Sequence, residues 1–240
     1  MRSVRAHSTM QDFYMSRVWS FSQLKTFKTC QHKWHQVSVL KRWASTATAA
    51  TEFGTFIHAV VEDAVNQKSV AQVPDVAKPY TPLMQTILDA PGDKYAELEM
   101  ALTRDGQACE YRTLATEGCT VRGIADLVII NGNRATIADW KTGKSAKFSD
   151  MSQLDLMACM VFAKWPQVTN IRCMLVFVVA GVLETAEFKR ENLPLMWAGW
   201  VQAIHRAELV LASGVTKKSP SGLCRGYCEV KDCEFFEEKR

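Results

Sequence analysis

Two aspartates, Asp126 and Asp139, with Lys141 just beyond the second, could do the most chemistry in this sequence. They sit in Val121–Gly143, which reads as two strands joined at Asn131-Gly132, a strong short-range hairpin signal. Side chains alternate along a strand, so Ile124, Asp126, Val128 and Ile130 are expected on one face, matched by Ile137, Asp139 and Lys141 on the partner. Any two-residue turn there makes the carboxylates opposite or diagonal neighbours, with β-carbons roughly 5–8 Å apart. Like charges that close destabilise a hairpin unless something positive lies between them. A hard divalent cation held by carboxylate oxygens, with an ammonium alongside, removes the repulsion and suits hydrolysis of a phosphodiester. The plainer alternative is a solvated ion cluster on an exposed sheet face. The apolar neighbours on the same face argue instead for burial, where a charge needs a partner or a metal.

Other positions could complete such a site. His58 lies in the apolar Phe53–Glu62 segment; as a lone histidine it is also an ordinary core side chain, and Glu62 one turn later lacks the second histidine of a zinc-protease pattern. Glu97 and Glu99 share a strand face ahead of the hairpin and could add a carboxylate or simply be solvated. Gln153 opens the stripe of the helix that follows. Gly143-Lys144-Ser145 resembles the end of a phosphate-binding loop, but Ala138 stands where that loop needs glycine, which excludes nucleotide binding through it. A second cluster, Cys224, Cys228 and Cys233, could fold around one metal centre, with Cys30 as fourth ligand and His32 or His35 behind it. Cys109, Cys119, Cys159 and Cys173 are expected in the core.

The elements that would position these groups can be read from period and punctuation. A helix opens at Ser20–Cys30, capped by Ser20 or Ser22, and a second covers about Glu52–Gln67. Prolines at 74, 79, 82 and 91 leave room for a short helix near Leu83–Leu88. Strands are expected at Tyr95–Thr103, Cys109–Ala115, the hairpin, Ile171–Ala180 and Val182–Lys189. An amphipathic helix carries Leu154, Met157, Val161 and Trp165, and a long helix runs from Leu193 to Ala212. Residues 1–18 show no period. This order implies one domain over 1–240 with a mixed sheet flanked by helices, and a cysteine-rich tail at 217–240. The 240 residues carry a net charge of +4, which permits a polyanionic partner without demanding one. The longest apolar run, Cys173–Leu183, is too short to span a bilayer, and no apolar signal region follows the first residues. A cytoplasmic location is expected, with the eight cysteines as thiols or metal ligands rather than disulfides.

Taken together and in order, the segments resemble the RecB-like branch of the PD-(D/E)XK nucleases, including CRISPR-adaptation and AddB-type enzymes that carry an iron–sulfur cluster. Ser20–Cys30 resembles S-x-S-x-L-x-x-F-x-x-C, Gly54–His58 resembles G-x-x-x-H, Arg122–Asp126 resembles R-G-x-x-D, and Asp139–Gly143 resembles D-x-K-T-G. The resemblance implies a restriction-endonuclease-like α/β fold whose chain ends are joined by a cysteine metal cluster. It implies Mg²⁺ or Mn²⁺ on Asp126 and Asp139, with His58, Glu99 and the Trp140 carbonyl as further ligands. Lys141 would orient or activate the attacking water, and Gln153 would match the start of Q-x-x-x-Y, whose tyrosine position is Met157 here. Cys30 with Cys224, Cys228 and Cys233 would hold [4Fe-4S], with structural zinc as the rival. The tail spacing, C-x3-C-x4-C, departs from the usual C-x2-C-x5-C. The implied activity is metal-dependent DNA cleavage, expected to be exonucleolytic on ends or single strands. The implied partners are DNA and a helicase, recombinase or CRISPR integrase, with no membrane. The alternative is a catalytically idle DNA-binding subunit on the same scaffold. Arg104, Lys144 and Lys147 are candidate phosphate contacts from charge alone.

Overall fold

A computed structural model of the protein describes residues 17–44, 47–111, 118–147 and 149–238. Most of the first expected irregular segment, and 112–115 of the expected strand Cys109–Ala115, lie outside these. In chain order the strands are β1 (Trp19–Ser20), β2 (Asp93–Leu102), β3 (Ala108–Cys109), β4 (Val121–Asn131), β5 (Arg134–Lys141), β6 (Asn170–Phe177) and β7 (Val182–Lys189). The α-helices are α1 (Phe21–Thr29), α2 (Gln31–Trp34), α3 (Ala49–Gln67), α4 (Thr81–Asp89), α5 (Ser152–Lys164) and α6 (Leu193–Ser213). No helix among the described residues is long and apolar enough to cross a membrane.

One mixed sheet runs in the order β3-β2-β4-β5-β6-β7, with β1 attached in parallel to the start of β4. The β4–β5 and β6–β7 pairs are antiparallel hairpins, and α5 makes the crossover that lets β5 and β6 run parallel. One face packs Val128, Ile130, Ile137 and Leu175 against α5, with α6, Trp19 and Trp34 closing the same core. The other face packs Leu127, Ile129, Ala138 and Trp140 against Ile57 and Val61 of α3 and Met84 of α4. Ser20 caps α1 by accepting from the Gln23 N–H, and Thr48 and Thr51 form a reciprocal cap on α3.

Three expectations are corrected. The hairpin turn is Gly132-Asn133, because Asn131 pairs with Arg134. Gly132 takes a φ of +58°, the left-handed conformation that a two-residue hairpin turn needs. This one-residue shift of the turn moves each cross-strand partner by two, which leaves the facing of the hairpin from Leu127 to Ala138 unchanged and brings Asp139 level with Asp126. Second, α5 is not amphipathic: Leu154 and every residue from Leu156 to Phe162 are buried, since the sheet lies on one side and α1 and α6 on others. Third, Ile124 is 37% exposed while Val128 and Ile130 are buried, so alternation does not run unbroken through β4.

Phe162 on α5 is fully buried, with the Arg190 guanidinium carbon 4.9 Å from its ring centroid. Phe162→Ala is expected to lower the unfolding free energy by about 3–5 kcal/mol, read from the urea midpoint at unchanged slope.

Candidate metal centre

The break in alternation builds the site. On β4, Val121 and Ala125 face α5, and so do Val128 and Ile130; on β2, Leu98, Met100 and Tyr95 pack on that core while Ala96 packs on the other. Both strands therefore change parity at one level, between Ala96 and Leu98 and between Ala125 and Leu127. They do so together, which leaves the β2–β4 register uniform on either side of the break. Glu97, at the break, has a φ of +45°, a left-handed conformation uncommon for a residue with a Cβ. The β2–β4 register on either side sets it level with Asp126, and one step past the last β4–β5 pair Asp126 is level with Asp139. Three carboxylates thus form a row across three neighbouring strands.

At the same level the β4–β5 ladder ends, its last pair being Leu127 with Ala138. Beyond it β5 stays with β6, while β1 takes the vacated edge of β4 at Val121 and Arg122. A buried backbone group left by such a fork must find another partner. The Trp140 N–H donates to Asp126 Oδ2 at 2.7 Å, and the Trp140 carbonyl lies 3.1 Å from His58 Nε2. An Nε2–H on that carbonyl leaves the Nδ1 lone pair facing inward, 3.5 Å from Asp126 Oδ2 and 3.6 Å from Glu97 Oε1. His58 reaches this point because α3 approaches β5 closely at Gly54, where a Cβ would meet Thr142 Oγ1 at 3.2 Å.

His58, Glu97 and Asp126 offer ligand atoms all within 4.8 Å of one another, the one such group among the described residues. One imidazole and two carboxylates suit a hard divalent ion. Asp139 stands beside this triplet. Its Oδ1 accepts from Gln153 Nε2 at 2.7 Å, while Oδ2 meets Lys141 Nζ at 2.5 Å as an ion pair outside hydrogen-bond geometry. Gln153 Oε1 lies 3.4 Å from the same ammonium, so the amide bridges Asp139 and Lys141. Burial, and next the charge of Asp139, push the Asp126 carboxyl up to about 7. The two aspartates are therefore electrostatically coupled, and Asp126 is where excess negative charge is least tolerated.

The expected residues fall as follows. Asp126, Asp139, Lys141, Gln153, His58 and Trp140 all meet at the fork. Glu99 lies two residues past the break, exposed and opposite Ile124, and the carboxylate beside His58 is that of Glu97. Strict alternation gives the two glutamates one face; the left-handed turn at Glu97 separates them. Met157, at the expected tyrosine position, is buried against Gly123, where a Cβ would lie 2.5 Å from its Cε. Arg104 is ion-paired with Glu208, whereas Lys144 and Lys147 are exposed beside the site. Elsewhere, Cys30, Cys224, Cys228 and Cys233 line one small cavity of about 30 Å³.

The model of the PD-(D/E)XK nuclease superfamily matches residues 18–233. The chain belongs to that superfamily. No curated protein matches it significantly. Among solved structures, a "Putative exonuclease" from Eubacterium rectale aligns at 12% identity with a TM-score of 0.50, covering 98% of this chain and 92% of the other, and shares its fold. SSO0001 aligns at 14% identity with a TM-score of 0.45, covering 93% and 91%. The mixed sheet with flanking helices is the superfamily's scaffold, and the acidic cluster occupies its fork.

Because Asp126 holds its proton up to about pH 7, a divalent ion must displace that proton. Mn²⁺ affinity, measured by calorimetry in metal-free protein, is expected to rise with pH up to about 7 and then level. In the absence of metal the raised pKa favours folding below the ordinary carboxylate range, and that contribution is lost as pH climbs from about 4 to about 7. Asp126→Asn is expected to abolish this part of the pH dependence in urea melts.

Proposed function

We propose that the protein is a Mg²⁺- or Mn²⁺-dependent DNA nuclease of the RecB-like kind, working from DNA ends or single strands. The observation that carries this reading is the convergence of His58, Glu97, Asp126, Asp139 and Lys141 on a single fork in the sheet. His58, Glu97 and Asp126 would hold the ion, with Asp139 and the Trp140 carbonyl beside them. A bound divalent ion supplies a polarised phosphate oxygen and a water acidic enough to attack at neutral pH. Lys141 stabilises the charge that grows on the phosphate in the transition state. Gln153 fixes the ammonium and Asp139 relative to each other, so neither must reorganise during the reaction. His58, oriented by the Trp140 carbonyl, presents the nitrogen that a metal takes.

End-labelled single- and double-stranded DNA incubated with each metal tests this directly. Shortening from an end is expected, abolished by Asp139→Ala and slowed about 10²–10³-fold by Lys141→Ala. Cleavage that survives Asp139→Ala, or that never appears in either metal, removes the assignment and leaves a binding subunit on the nuclease scaffold.

The tail belongs to the same reading, as part of one domain spanning 1–240. Four thiols around one cavity are the donor set of [4Fe-4S] and of zinc alike. The cluster is the proposed occupant, with structural zinc as its rival. It would staple the tail to α2, alongside the Lys33–Glu229 ion pair at 2.6 Å and the bond from the His32 N–H to the Lys217 carbonyl. Purified protein is expected to be brown, with about four irons and acid-labile sulfide, both lost in Cys233→Ser. Stoichiometric zinc in a colourless preparation would refute this.

A further inference from the structure

A cleft of about 730 Å³ runs between α1 and α6 and is lined at its inner end by Asp150, Ser152 and Asp155. Four exposed cations line it: Lys25 and Lys28 from α1, Arg206 from α6, and Lys217 from the segment that follows. Between them lie the rings of Phe21, Phe27 and Trp200, with Phe21 and Trp200 edge to face at 6.2 Å between centroids. The two acids at the inner end offset part of this charge and leave the cleft net positive. Asp150 pairs with Lys25 at 3.1 Å and accepts from the Ser152 N–H, while Asp155 accepts from the Trp200 indole at 2.5 Å. Burial also shifts the Asp155 carboxyl upward, which favours its neutral form.

Cations along a groove with aromatic faces between them are what a single-stranded polynucleotide needs: the charges track phosphates and the rings accept unstacked bases. Duplex DNA presents phosphates but no free base faces, so it gains nothing from the rings. The cleft and the candidate metal centre share the start of α5: Ser152 lines the cleft, and Gln153, the next residue, bonds Asp139 and Lys141. The cleft wall is fixed on its tail side, where the Lys217 N–H donates to Gln31 Oε1 at 2.9 Å.

We infer that the α1–α6 cleft is the binding path for single-stranded DNA, delivering the strand past the start of α5 to the carboxylates. This inference rests on the nuclease reading for its destination but not for its test. Fluorescence anisotropy of a labelled oligothymidylate of about 20 nucleotides is read in EDTA, where neither metal nor cleavage is involved. Wild type is expected to bind the single strand more tightly than a duplex or an RNA strand of equal length. The double variant Lys28→Ala/Arg206→Ala is expected to bind roughly tenfold more weakly or worse, its log–log salt slope reduced by about 1.4. Arg134→Ala, which removes an exposed cation at the far hairpin, keeps wild-type affinity. In a second readout on the unaltered protein, an oligonucleotide carrying 5-iododeoxyuridine is cross-linked by ultraviolet light. The peptides bearing Phe21 or Trp200 are expected to carry the label. Unchanged affinity and slope in the double variant, cross-links confined to other peptides, or a preference for duplex or RNA would each overturn the cleft assignment. A wild-type protein that binds as expected yet cleaves nothing would sink the nuclease reading and leave the cleft in place.

Discussion

The site depends on one constraint: β4 cannot keep pairing with β5 beyond Leu127 and Ala138. Past that point β5 is committed to β6 over its whole length, and the free edge of β4 is taken by β1. A forked sheet leaves backbone polar groups in a buried place, where an unpaired N–H costs about as much as a lost hydrogen bond. Trp140 is the residue so exposed, and its N–H and carbonyl are answered by a carboxylate and an imidazole. The groups that close the fork are therefore the groups able to bind a metal. Structural need and chemical capacity fall on the same side chains, which is why the site sets charge beside an apolar core.

That density carries an electrostatic strain that the protein distributes unevenly. Asp139 is nearly inaccessible, yet it has an ammonium and an amide donor of its own. Asp126 has one backbone N–H and a histidine, and bears the repulsion of Asp139 and, to a lesser degree, of Glu97. The asymmetry puts the cost of the repulsion on Asp126, whose carboxyl holds its proton toward neutral pH. A divalent ion would exchange places with that proton, and the left-handed turn at Glu97 brings a second carboxylate within its reach.

Much of this was legible in the sequence, because its strongest signals are local. The period of Ala135–Lys141, the presence of a tight hairpin at Gly132 and the cap at Ser20 each depend on a few adjacent residues. The resemblance then placed His58 and Gln153, which no local pattern could have joined to the hairpin. What escaped was of a different kind. The hairpin loop moved by one residue and the cross-strand partners by two, since both Gly132-Asn133 and Asn131-Gly132 satisfy turn chemistry, and only pairing along the whole ladder decides between them. The parity change at Ala96–Leu98 and Ala125–Leu127 is invisible to an alternation count, because each strand alone reads as a plausible period. It exists only because both strands change together, so the choice of Glu97 over Glu99 belongs to the pairing rather than to either strand. The all-round burial of α5 likewise comes from α1 and α6 closing over it.

The start of α5 is where these features meet. Its first turn supplies Gln153 to the carboxylates, Ser152 to the inner end of the cleft, and Asp155 to the indole of Trp200 on α6. The helix is gripped on every side, so these three side chains are fixed relative to one another to the tolerance of a packed core rather than that of a loop. The cleft walls are anchored more lightly, α1 by its cap and by Arg17, which bonds Gln23 and the Ser38 carbonyl, and the tail by the bond from the Lys217 N–H to Gln31. A rigid floor beneath a more lightly held wall would allow the inferred strand to enter without disturbing the charges at the fork. It also gives the distant cysteine staple a physical reason to matter, since the segment it would secure carries Lys217 on the rim of the cleft.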